Sequence, residues 1–124
     1  MSEPIIAWED VLPVGKGGPG CGLLTINGKQ PPGAYRYLPP ALFHGGMVYA
    51  STFVPNGFVV CAINPQTLAR VEMSGRIAYV RLRAIEGDVL DYFDTHGGDT
   101  TNRVVLRARQ GLFRRIAGKL RRGG

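Results

Sequence analysis

Few side chains in this chain are equipped for chemistry, and those few are scattered. Cys21, Cys61, His44 and His96 are the soft ligands. They stand singly, whereas structural zinc sites bring their ligands in close pairs, so no metal site is expected. Cys21 as a nucleophile with His44 as its base would make a small thiol enzyme. Nothing next to Cys21 in sequence is of a kind that lowers a thiol pKa. Asp88, Asp91, Asp94 and Asp99 lack the alternating order of a calcium loop. The run from Val14 to Gly22 is glycine-rich and can turn backbone N–H groups toward an anion, but it lacks the terminal Gly-Lys-Ser/Thr of a P-loop. No cofactor is expected.

Charge carries more information. From Arg103 to Gly124 there are eight basic residues, Arg103, Arg107, Arg109, Arg114, Arg115, Lys119, Arg121 and Arg122, and no acid. Residues 1–102 hold seven basic and nine acidic residues, so the whole formal charge of +6 belongs to the last 22 residues. A basic end on a slightly acidic body is an attachment device for something negative. Guanidinium forks grip carboxylates and phosphates alike, so an acidic protein, a nucleic acid and an anionic lipid surface are the three partner classes. The acidic residues Glu86, Asp88, Asp91, Asp94 and Asp99 offer an alternative, a counter-surface inside the same molecule.

From Arg109 to Arg122 the apolar residues recur at helical period. Leu112, Phe113, Ile116, Ala117 and Leu120 fall on one arc, and Arg114, Arg115, Lys119, Arg121 and Arg122 fall opposite. Such a short helix with two glycines must dock its apolar stripe on something to persist. Tyr35, Arg36 and Tyr37 form the other cluster of interest. Tyr and Arg are favoured anchors of protein contacts, and tyrosines also stack on unpaired bases. The structural alternative makes them a lid over the core.

The elements that position these residues are mostly strands. A chain of 124 residues makes one domain with a real core. Its 18 glycines and nine prolines punctuate short apolar runs about ten residues apart, the rhythm of an antiparallel β protein. Residues 1–46 read as a loop-rich cover, with short strands at Ile5–Trp8 and Gly22–Ile26 and turns or extended edges at the Pro-Pro pairs. His44 reads as a loop residue opening the hairpin before Met47. Residues 47–108 read as a meander, with strands at Met47–Val54, Phe58–Ile63, Thr67–Glu72, Arg76–Ala84, Val89–Phe93 and Asn102–Ala108. Pro55-Asn56-Gly57 and Asn64-Pro65-Gln66 are its clearest turns. Ala78, Val80, Leu82 and Ala84 alternate with Ile77, Tyr79, Arg81 and Arg83 across the two faces of the fourth of these strands.

Residues 46–94 resemble a β-propeller blade, in the phrases from Gly57 to Leu68 and from Glu86 to Asp94. The resemblance implies a meander; a propeller needs at least four blades, and this chain has room for barely two. Leu42-Phe-His-Gly-Gly46 with Tyr49 and Ser51-Thr52 resembles the His-Gly and Tyr or Ser-Thr elements with which ADP-ribosyltransferases grip NAD. The spacing is too short for the helix that normally intervenes, and no glutamate stands suitably downstream.

The N-terminus has no basic region followed by an apolar stretch, so no signal peptide is expected, and no run approaches the roughly 20 apolar residues of a membrane span. The two cysteines then read as free thiols in a reducing, cytoplasmic setting. The expected fold is mainly β: six to eight short antiparallel strands in a meander sheet or small sandwich, closed by a basic C-terminal helix. The expected function is non-enzymatic protein binding, as an adaptor, an inhibitor or immunity-type neutraliser, or an assembly subunit. Tyr35, Arg36, Tyr37, Arg114, Arg115, Lys119, Arg121 and Arg122 would face an acidic partner. A nucleic-acid-binding module and a Cys/His enzyme are the alternatives, and an exposed edge strand leaves self-association open.

Overall fold

The computed structural model describes residues 3–15 and 17–106. Among these, nine strands form two antiparallel sheets. The larger contains β1 (Ile6–Pro13), β2 (Gly20–Ile26), β3 (Tyr37–His44), β4 (Met47–Val54), β5 (Gly57–Ile63) and β6 (Arg70–Glu72) in sequence order. The smaller contains β7 (Arg81–Glu86), β8 (Val89–Phe93) and β9 (Thr101–Val105). The expected helix over residues 109–122 lies outside the described residues. No helix among the described residues is long and apolar enough to cross a membrane.

The hairpins follow from local chemistry. Gly45 and Gly46 both take positive φ, the requirement of a tight two-residue turn that matches strand twist, and they join His44 to Met47 across the β3–β4 ladder. Asn27 and Gly28 do the same beyond β2. At the β4–β5 turn Pro55 presets its own φ and Asn56 accepts a positive one, of 66°. Gly57 then passes so close to the next segment that a Cβ would sit 2.5 Å from the Ile77 carbonyl oxygen. The Asn64 side chain accepts hydrogen bonds from the backbone N–H groups of Gln66 and Thr67, at 2.8 and 3.1 Å. Residues 67–69 are spent closing that turn, so β6 begins at Arg70 rather than at Thr67.

Two differences from the sequence reading matter. The first 46 residues contribute three strands, with β3 running through the Pro39–Pro40 pair. Proline is tolerated there because the β3–β4 register shifts between Leu38 and Leu42, where no regular ladder bond is needed. His44 accordingly ends a strand. In the second half, Arg76–Ala84 is not one strand. Ile77 and Phe58 exchange two backbone hydrogen bonds of 2.8 Å, which carry the chain from the large sheet to the small one. The alternation is reset there: Tyr79 and Val80 both enter the core, and the strand begins at Arg81.

Strand β5 is buried along its whole length, and β4 from Val48 to Thr52. Their alternating side chains feed two cores. Tyr49, Phe58, Val60 and Ala62 pack with Leu82, Leu90, Tyr92 and Leu106 of the small sheet and its exit. Val48, Ala50 and Ile63 pack with Leu24, Ile26, Ile6 and Trp8 of the β1–β2 hairpin. That hairpin joins β3 through a single paired position, Gly22 with Tyr37, which leaves it free to fold over the sheet.

Ser74 seals the end of β6. Its Oγ accepts the Val60 backbone N–H at 3.0 Å and donates to the Gly75 carbonyl at 2.8 Å. Ser74→Ala would leave a buried strand N–H without an acceptor. Chemical denaturation should show a loss of about 1–3 kcal/mol, with the native circular dichroism retained.

Candidate functional site

The three residues singled out before β3 have three different fates. Tyr37 is 2% exposed and belongs to the core beneath the β1–β2 hairpin. Arg36 reaches back to that hairpin, where its Nη1 donates to the backbone carbonyls of Asp10 at 2.8 Å and Cys21 at 3.4 Å. Asp10 sits at positive φ in the β1 irregularity between Glu9 and Leu12, and this turns its carbonyl toward the guanidinium. Arg36 thus clamps the hairpin to the start of β3. Tyr35 alone reaches the surface, at 38% exposure.

Beneath Tyr35 lies a residue that no motif announces. The Arg70 guanidinium stacks on the Tyr35 ring at 4.1 Å from its centroid. The Arg70 side chain is only 12% exposed. Its Nε and Nη2 are buried without a hydrogen-bond partner, and so is the Tyr37 hydroxyl. Glu72 supplies the nearest carboxylate, with Oε2 3.9 Å from Nη2, too long and too exposed for a strong pair. Cys61 completes the group, its Sγ 3.0 Å from the Thr52 hydroxyl. The register explains the assembly. Arg70 lies opposite Ile63, Glu72 opposite Cys61 and Tyr37 opposite Thr52, so all share one face of the curled sheet. A lone arginine in a short polar strand gives no periodic signal, and only the pairing reveals it.

The thiols are not poised to react. Burial pushes the Cys21 thiol up to about 11, against a smaller downward pull from Arg36. Burial also raises Cys61, and hydrogen bonding to Thr52 offsets only part of this. A neutral buried thiol is a poor nucleophile. Cys21 lies beside the β3 start and His44 at its other end, so the strand keeps them apart. The His44 Nε2 is engaged 2.8 Å from the Gly87 carbonyl, tying β3 to the β7–β8 turn. His96 rests on the Tyr79 ring, far along the chain from His44. No three of His, Cys, Asp and Glu converge among the described residues in a way that would hold a metal ion.

Of the basic end, only Arg103 lies within the described residues. Its Nε stands 3.2 Å from Asp91 Oδ1, while Arg83 approaches the other oxygen of the same carboxylate at 3.5 Å. Arg107, Arg109, Arg114, Arg115, Lys119, Arg121 and Arg122 lie outside the described residues. No protein-family model matches the chain, and no curated protein and no solved structure matches it either.

The Arg36 clamp predicts a local effect. Arg36→Ala should speed backbone hydrogen exchange in residues 6–13 and 20–26 several-fold, and leave β7–β9 protected as before. The thiol burial predicts an alkaline one. An unfolded Cys21 loses its proton near its ordinary value of 9.0, whereas the folded one keeps it up to about 11, so the unfolded state binds fewer protons between these values. Stability should therefore be full below pH 9 and fall as pH rises toward 11. Denaturation curves across that range should be less steeply pH-dependent for Cys21→Ala.

Proposed function

We propose that this chain is a non-enzymatic protein-binding module that attaches through its basic end to an acidic protein partner. The partition of charge carries the reading: eight basic residues and no acid after residue 102, on a body that nets about −2. The exposed Tyr35 ring, backed by the Arg70 guanidinium, adds an anchor of the type that dominates protein contacts. Both thiols of the body are unpaired and protonated, which fits a structural role in a reducing, cytoplasmic setting. An adaptor, a neutraliser of an acidic protein, or a subunit of an assembly would use such a module.

The test compares the full chain with a chain ending at Arg109 in affinity capture from the native host, with and without nuclease. The expected result is one specific protein that survives nuclease and is lost on truncation. Its binding should weaken only moderately with salt. Capture of RNA or DNA alone, with affinity falling log-linearly and steeply with salt, would replace this reading with phosphate binding.

A further inference from the structure

The outward face of the small sheet mixes arginines with apolar residues. Leu82, Leu90 and Tyr92 point inward to the core. The opposite side of β8 presents Val89, Asp91 and Phe93, and β9 presents Arg103 and Val105 beside them. On β7, the register shift between Leu82 and Ala84 brings Arg83 onto this side together with Arg81. Three arginines therefore share this face with two carboxylates, Asp91 and Glu86. Asp91 is clamped between Arg83 and Arg103, whose side chains remain 52% and 76% exposed. Arg81 has no carboxylate partner among the described residues. Val105 is 49% exposed at the same face.

We propose that this face is a docking surface for an acidic, partly apolar extended segment of a partner protein. The proposal rests on the protein-binding reading and assigns it a second contact, on the folded body. Charge complementarity selects the occupant. The three arginines outnumber the two carboxylates of the face, and guanidinium forks can take an incoming carboxylate without releasing Asp91. The apolar residues between the arginines favour a polypeptide, whose side chains alternate, over a phosphate backbone, whose charge is continuous. Seven further basic residues follow Leu106 in the sequence.

The experiment uses the full chain and a fluorescent peptide of alternating glutamate and valine, read by anisotropy at low and at physiological salt. Arg81→Glu should weaken binding about fivefold or more. Arg76→Glu makes the same charge change away from this face, and should weaken it less than about twofold. Arg83→Gln gives a second reading at the face, and circular dichroism checks that each variant is folded. Equal losses for Arg81→Glu and Arg76→Glu would reduce the effect to net charge and overturn the proposal. Tighter, Arg81-dependent binding of a single-stranded DNA homopolymer would overturn it in favour of phosphate. A variant with the seven basic residues after Leu106 changed to glutamine separates the two readings. If it loses binding while Arg81→Glu binds as the parent does, the face is refuted and the basic end stands. The reverse pattern upholds the face and refutes the basic end.

Discussion

Strands β4 and β5 are apolar on both sides, and the rest of the molecule is arranged around that fact. A sheet with one solvated face can rest against a single layer, but Val48, Ala50 and Ile63 point one way while Tyr49, Val60 and Ala62 point the other. Each face must be removed from water, at about 25 cal/mol for every Å² of apolar surface. The chain covers one face with its first hairpin and the other with its last three strands. The single paired position between β2 and β3 and the Phe58–Ile77 bridge are the two places where the backbone leaves the central sheet to reach those faces.

This arrangement consumes residues that look functional in isolation. Arg36 holds the first hairpin, Tyr37 fills the core beneath it, and His44 ties β3 to the β7–β8 turn. Both cysteines are buried in the packing and kept protonated by it. What stays available is therefore set by position in the layers. Tyr35 stands above Arg70 at the margin of the curled sheet, and the arginines of β7 and β9 stand on the outer side of the small one. Neither arrangement brings a nucleophile to a base.

Much of the fold was legible before any coordinates. Met47–Val54 and Val89–Phe93 match their predicted bounds, because each is a short apolar run between turn residues that permit only one geometry. The antiparallel, mainly β character follows from the same punctuation. Less legible was β3, since two adjacent prolines argue against a strand unless a register shift excuses their missing N–H groups. The segment before β7 misled for another reason. Its apparent alternation over Arg76–Ala84 joins a crossing segment to a strand, and a two-residue period cannot register a change of sheet.

The sequence by itself determined the strand class, the tight turns and the separation of charge along the chain, because these depend on residues that are neighbours or on simple counting. Only the tertiary structure decided that the strands divide into two sheets, that Arg70 stacks under Tyr35, and that Arg83 and Arg103 meet at Asp91. Those outcomes join residues tens of positions apart through register and layer packing, and no local propensity encodes which distant partner a buried face will meet.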